Sequence, residues 1–265
     1  MAEDARRTEQ VSKGEGDDLP CIRLLGVKVH CVDMESAIET IRGYVHSGKP
    51  HLIVTADASG IVLAQRDEDF RSLVNEADLV TPDSSGILLG ARWLGAPLRE
   101  KVSGVDMARE VCRIAAQEGF SVFLLGGAPG IAEAAGRKLR ESYPGLAIAG
   151  TRDGFFPPSE DADVAKAIRD SGALLLLVAM GIPRQEKWIR DHLNQLGVCA
   201  AMGVGGTLDV FSGKVKRAPV WMQRHGLEWA YRLARDPRKI SKVATLPRFL
   251  AMVLREKLRA GTASR

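Results

Sequence analysis

The first residues to weigh for chemistry are polar side chains at the carboxyl ends of strands, where ligands of an open parallel sheet bind. Asp83 stands in Pro82-Asp83-Ser84-Ser85-Gly86, where an apolar strand-length run gives way to a helix-period segment. A carboxylate at such a turn faces a cleft and is available for proton transfer; the plainer alternative is that it caps the helix that follows. Thr55 and Asp57 follow the run HLIVT in the same way. Three glycine-rich turns lie at comparable places. Gly126-Gly127-Ala128-Pro129-Gly130 is small enough to let a phosphate reach backbone N–H groups at a helix start, although turns of this kind are also glycine-rich for steric reasons. Gly181-Ile182-Pro183-Arg184-Gln185-Glu186 puts Arg184 and Gln185 near the mouth of the sheet, and Gly203-Val204-Gly205-Gly206-Thr207 brings Gly205 and Gly206 to the same rim.

Other chemistries lack their residues. The acidic triplets Asp67-Glu68-Asp69 and Asp161-Ala162-Asp163 fall in helical or loop context and read as surface charge. His30, His46, His51, His192 and His225 form no HxxxH or HExxH spacing, and GxSxG is missing, so neither a metal centre nor a Ser/His/Asp hydrolase is expected. Cys21, Cys31, Cys112 and Cys199 form no CxxC pair and read as thiols of a reducing compartment.

The elements that must position these residues follow from hydrophobic period. Apolar runs of strand length alternate with helix-period segments from about Ile22, the pattern of a parallel sheet with helices on both faces. Helices are predicted from Asp33 to Gly48, Gly60 to Glu76, Ser84 to Trp93, Val105 to Glu118, from near Pro129, Glu160 to Asp170, and after Pro183. Strands are predicted at 51–55, 78–82, 121–126, 146–151, 173–180 and 198–204. The fold class is therefore α/β, a Rossmann-like, mainly parallel sheet with a basic helical appendage at its C-terminal end. Residues 1–20, polar and without an apolar targeting core, read as a disordered leader; 21–213 form the α/β body and 214–265 the appendage.

Of 265 residues, 45% are hydrophobic and 26% charged, which excludes a wholly disordered chain, a collagen-like repeat and a multi-span membrane protein. The net charge of +4 is unevenly spread. From Lys214 onward fourteen Lys and Arg face three acidic residues, giving the tail +11 and leaving −7 for the rest. A basic tail points to an anionic surface. In its last segment Leu246, Phe249, Leu250, Val253, Leu254 and Leu258 share a face, suited to a membrane interface or to packing on the body or a second subunit.

Together the series TADASGIVLAQRD, ADLVTPDSSG, KVSGVDM, FLLGGAPG, GTRDGFF, VAMGIPRQEKWI, GVGGTLDVFSGKVKRAP and GLEWAYRLARDPRK resembles the WecG/TagA/CpsF family of bacterial glycosyltransferases, from about Leu24 to Lys242. The resemblance implies transfer of a sugar from a UDP-sugar to an undecaprenyl-diphosphate-linked amino sugar at the cytoplasmic membrane face, for surface polysaccharide synthesis. It implies Asp83 as catalytic base, Thr55 and Gln185 as active-site polar residues, and Arg232, Lys239 and Lys242 as appendage cations closing over the donor diphosphate. A base beside the acceptor hydroxyl and cations beside the departing UDP suit a metal-independent, inverting displacement that needs no cofactor. The chain departs from the family pattern where Asp57 replaces Asn, Ser84-Ser85 replaces Gly-Ile or Gly-Val, and Lys101 replaces Arg, keeping the charge but losing the bidentate fork. Asp57 adds a second carboxylate near Asp83, where like charges raise one pKa.

The expected protein is an inverting glycosyltransferase, with N-acetylmannosamine, a uronic acid or glucose as donor sugar. Its partners would be the UDP-sugar, a polyprenyl-diphosphate acceptor and the inner membrane surface, bound peripherally from the cytoplasm, with a possible homo-oligomer and no nucleic acid. Two other classes stay open: a nicotinamide-dependent oxidoreductase, for which GxGxxG is missing, and a non-catalytic nucleotide-sugar or nucleic-acid binder.

Overall fold

The computed structural model describes residues 12–13, 19–225, 227–235 and 245–262. Its helix boundaries follow local chemistry. Helix α1, Met34–Ser47, starts at Asp33, which accepts from the Ser36 N–H at 2.8 Å while the Ser36 hydroxyl accepts from the Asp33 N–H at 3.0 Å. It stops at Gly48, whose φ of 67° is the left-handed turn glycine adopts without a Cβ clash. The segment expected as one helix over Gly60–Glu76 is two, α2 (Ala58–Ala64) and α3 (Glu68–Glu76). Asp67 makes the break by capping Phe70 N at 2.9 Å, and a cap residue cannot itself be helical.

A first, antiparallel sheet joins β1 (Ser12–Lys13), β2 (Pro20–Leu24) and β3 (Val27–His30). Within the segment read as a leader, Ser12 and Lys13 pair with Cys21 and Pro20, and residues 1–11 and 14–18 lie outside the described residues. The β2–β3 hairpin turns on Leu25 at φ 53° and Gly26 at φ 78°, the two consecutive positive φ angles of a tight hairpin. It is tied to the body by Val80 N donating to His30 Nδ1 and by Lys28 Nζ donating to the Ala77 carbonyl, both at 2.8 Å.

The main sheet is parallel throughout. Its six strands are β4 (His51–Ala56), β5 (Leu79–Pro82), β6 (Ser121–Gly126), β7 (Ala147–Arg152), β8 (Leu175–Ala179) and β9 (Ala200–Gly203), in the order β5-β4-β9-β8-β6-β7. Because successive side chains of a strand point to opposite faces, Leu52, Val54 and Ala56 enter one core and Ile53 the other. The first core is covered by α2, α3, α4 (Ser85–Trp93), α7 (Asp161–Asp170), α8 (Arg184–His192) and the hairpin. The second is covered by α1, α5 (Gly104–Glu118), α6 (Ile131–Ser142) and α9 (Thr207–Phe211). Both faces are thus buried, which is why the strands read as unbroken Leu/Val/Ala runs.

Two short helices, α10 (Val220–Arg224) and α11 (Glu228–Arg235), precede the last, α12 (Thr245–Thr262). The α12 helix joins the first core: Phe249 and Val253 are fully buried, and Leu246 and Leu250 pack at its margin. The fit depends on missing side chains. A Cβ on Gly86 would stand 2.5 Å from Leu246 Cδ1, and one on Gly90 2.9 Å from the Phe249 ring. Packing on the body therefore accounts for most of the apolar stripe, leaving Leu254 and Leu258 exposed. Among the described residues no helix is long and apolar enough to cross a membrane.

Candidate active site

The connection after β4 leaves to one face of the sheet and that after its neighbour β9 to the other, which opens a crevice between their carboxyl ends. Thr55, at the end of β4, is buried and donates its hydroxyl to the Gly203 carbonyl of β9 at 3.0 Å, pinning the floor. Asp83 follows the adjoining β5, its N–H held by the Ala56 carbonyl at 2.8 Å. Ser84, not Asp83, caps α4, accepting from Ile87 N at 3.3 Å, so the structural alternative for Asp83 falls to its neighbour.

Next to Asp83, Val102 N donates to the Pro82 carbonyl at 2.9 Å and brings the start of α5 alongside. A Cβ on Gly104 there would lie 3.1 Å from Asp83 Oδ2 and 3.3 Å from Thr55 Oγ1. The two residues expected to be catalytic thus converge on one glycine. Asp57 sits at the start of α2, where its Oδ1 accepts from Gly60 N and the Ser59 hydroxyl, each at 2.7 Å. It serves as that helix's cap.

Gln185 and Glu186 form the opposite wall and are almost wholly buried, at 1% and 0% exposure. Gln185 Oε1 accepts from Gly181 N and Gly205 N, each at 3.0 Å, stapling the β8–α8 loop to the β9–α9 loop. Its Nε2 donates to Glu186 Oε1 at 2.7 Å. Among the described residues nothing hydrogen-bonds Glu186 Oε2. Burial pushes this carboxyl up to about 7, with the nearby charge of Asp57 acting in the same direction against the Gln185 hydrogen bond.

The glycine turns separate into two kinds. No atom would come within 4 Å of a Cβ at Gly181, Gly205 or Gly206, so these turns border open space. Gly126 and Gly127 are packed instead. At φ 125° a Cβ on Gly126 would lie 2.4 Å from the Ala179 carbonyl oxygen, and Gly127 donates its N–H to that oxygen at 3.0 Å. Gly126 thus meets the close approach of β8, while a Cβ on Gly127 would lie 2.6 Å from the Ile131 side chain of α6.

The cations are also engaged. Arg184 holds the loop after β7, donating to the carbonyls of Gly154 at 3.0 Å and Phe156 at 3.2 Å, with its guanidinium 5.3 Å from the Phe156 ring centre. Lys101 pairs with Glu228 of α11 at 2.8 Å. Arg217 spans Asp106 of α5, at 2.7 Å through Nη2, and Glu228, at 3.3 Å. Burial works against the charge of Asp106, but Arg217 outweighs it and holds the carboxyl below its usual range. The body and α11 are thereby clamped by two half-buried cations on one carboxylate. Arg232 lies on α11 with its side chain outside the described residues, and Lys239 and Lys242 lie outside them altogether.

Sequence reasoning passed over Gly104, Glu186, Arg217 and Glu228. Each belongs to a motif already noted, KVSGVDM, VAMGIPRQEKWI, GVGGTLDVFSGKVKRAP and GLEWAYRLARDPRK, but only the fold shows which partner each meets. The acidic triplets do more than carry surface charge: half-buried Asp67 caps α3 and with Asp69 binds Lys187, each at 2.9 Å, and half-buried Asp161 accepts from the buried Trp188 Nε1 at 2.9 Å.

The Glycosyl transferase WecG/TagA/CpsF family matches residues 22–263 of the chain. Among curated proteins, an N-acetylglucosaminyldiphosphoundecaprenol N-acetyl-beta-D-mannosaminyltransferase of Staphylococcus aureus (strain MW2) is 31% identical over 238 residues, 89% of this chain and 93% of that protein. The protein of the same description from Bacillus subtilis (strain 168) is 31% identical over 205 residues, 77% and 79% of the two chains.

Proposed function

The chain belongs to the WecG/TagA/CpsF family and is a glycosyltransferase, and from that premise we propose that it moves N-acetylmannosamine from UDP to N-acetylglucosaminyl-diphosphoundecaprenol, with Asp83 as the base. The observation that carries this reading is the convergence of Asp83 Oδ2 and Thr55 Oγ1 beside Gly104, at the carboxyl ends of β5 and β4. A glycine there leaves room beside the carboxylate for an acceptor hydroxyl. The donor and acceptor are those in the names of the relatives, and 31% identity over nearly the full length supports carrying both across.

The reaction follows from charge. The acceptor hydroxyl attacks the anomeric carbon and gives its proton to Asp83 Oδ2, while the bond to UDP breaks and the diphosphate takes the electron pair. Attack opposite to the leaving group inverts the anomeric centre. Thr55, fixed by Gly203, bounds the pocket at Asp83. The developing diphosphate charge needs cations or N–H donors, and in this reading it is met by Lys101 and the appendage cations without a metal ion. The Lys101–Glu228 pair already joins that appendage to the body. In this reading a polyprenyl acceptor calls for action at a membrane surface, with the enzyme bound peripherally and the basic tail toward the lipid.

Asp83→Asn tests the assignment, because the amide keeps the shape and loses the base. Transfer from UDP-N-acetylmannosamine, followed by mass spectrometry of the lipid product, is expected to fall by about 10²–10⁴-fold, with UDP affinity by calorimetry changed only a few-fold. Undiminished turnover removes Asp83 from its role, and turnover with a different UDP-sugar alone replaces the donor.

A further inference from the structure

Glu186, a carboxylate of the crevice wall, has no task in the mechanism above. Its side chain is fully buried, Oε1 takes the Gln185 amide at 2.7 Å, and among the described residues Oε2 has no hydrogen-bond partner. A buried carboxylate with one orphaned oxygen is costly when charged and far less so when neutral. Among the described residues no cation packed against α8 offsets such a charge, which only the Gln185 amide and the Glu186 N–H favour. Strands β8 and β9 carry no titratable side chain, β4 leads to anionic Asp57, and Asp67 and Asp69 at the start of α3 are paired with Lys187 and Arg190. On α8 itself Arg184 is committed to the Gly154 and Phe156 carbonyls.

The Gln185 amide is what this carboxyl orients. The two ends of an amide have nearly the same shape, so its orientation is decided by its partners. With Nε2 on Glu186, Oε1 must face Gly181 and Gly205, and those two N–H groups require an acceptor. The reversed amide would set N–H against N–H at both loops. Glu186 therefore determines, through Gln185, the spacing of the two glycine turns that border the open side of the crevice.

We propose that Glu186 is a positioning residue: in its neutral form it keeps Gln185 stapling the β8–α8 and β9–α9 loops, and on ionising it opens the staple. The opening follows from the orphaned oxygen, which once charged requires water that the closed wall does not admit. The inference rests on the transferase reading for its effect on turnover, but the staple itself does not.

The first test is therefore independent of activity. In ¹⁵N NMR of the full chain, the Gly181 and Gly205 amides are expected to titrate with a midpoint near 7 and to exchange faster above it, whereas in Glu186→Gln they stay constant and protected. The second test is the pH profile of kcat/KM for UDP-N-acetylmannosamine. From pH 6.5 to 8.5 the neutral fraction of a group at about 7 drops about twenty-five-fold, so the wild type is expected to lose about that factor and Glu186→Gln to keep a flat alkaline limb. Glu186→Ala, with no acceptor for Gln185, is expected to raise KM at every pH. Amides that do not titrate, or that titrate equally in Glu186→Gln, overturn the proposal, as does a Glu186→Gln protein that binds UDP but is inactive while the wild type turns over. If neither protein transfers sugar at any pH, the transferase reading falls while the amide titration still decides the role of Glu186.

Discussion

Replacing Glu186 by Gln is expected to stabilise the protein at alkaline pH and leave it nearly unchanged in acid. Burial raises this carboxyl from 4.5 to about 7 in the folded chain, while in the unfolded chain it titrates near its ordinary value. Below about pH 4.5 both states are protonated and the group has no effect. Between the two values the unfolded chain ionises and the folded chain does not, so stability declines as pH rises, until the folded group ionises too and the loss is complete. Each pH unit of that interval is worth about 1.4 kcal/mol, so the whole effect is about 3 kcal/mol. A Gln side chain does not titrate and retains an oxygen for the Gln185 amide. Urea unfolding of wild type and Glu186→Gln should give stabilities within about 0.5 kcal/mol of each other at pH 4.5, separating to about 3 kcal/mol in favour of the variant at pH 8.5. Two pH profiles that run parallel across this range would refute the reasoning, because they would mean that the folded environment does not disfavour the carboxylate.

Two further substitutions test packing. Gly104→Ala puts a methyl group 3.1 Å from Asp83 Oδ2 and 3.2 Å from Thr55 Cγ2, so the carboxylate must yield by a few tenths of an ångström; kcat in the lipid-acceptor assay is expected to drop about tenfold or more, with thermal stability nearly unchanged. Phe249→Ala empties a fully buried aromatic site between α12 and the body and is expected to cost about 3–5 kcal/mol in urea unfolding, whereas Leu258→Ala, at an exposed position, should cost less than about 0.5 kcal/mol.

What was legible in the sequence is what local chemistry decides. The α1 helix was readable to its ends from Asp33 and Gly48, and the buried strands from apolar runs whose neighbours supply no alternation. The β2–β3 hairpin was not, because Leu25 occupies a positive-φ turn position where Asn or Asp would have announced it. The split between α2 and α3 was hidden by an apolar period that continues across Asp67. At the site, Asp83 and Thr55 could be placed by their motifs at strand ends, but their convergence on Gly104 depends on a contact between β5 and the start of α5 that no spacing displays. For Gly126 and Gly127 the sequence left a phosphate contact and a steric role side by side, and the structure adds the close packing of Gly126 on β8 and of Gly127 on Ile131. Arg184, expected at the mouth of the sheet, is seen holding the loop after β7. A guanidinium beside a glycine turn serves equally well to hold the next loop by its carbonyls.

The seating of Leu246 and Phe249 against Gly86 and Gly90 bears on how shortened versions of this enzyme should be interpreted. The helix these glycines notch begins two residues after Asp83, so cutting away the C-terminal segment bares the scaffold of the proposed base as well as discarding basic residues. An inactive truncation thus leaves lipid attachment and scaffold integrity confounded. Charge reversal at Arg255 and Lys257, both exposed, alters the outer side of that helix while leaving its anchoring side chains in their sockets.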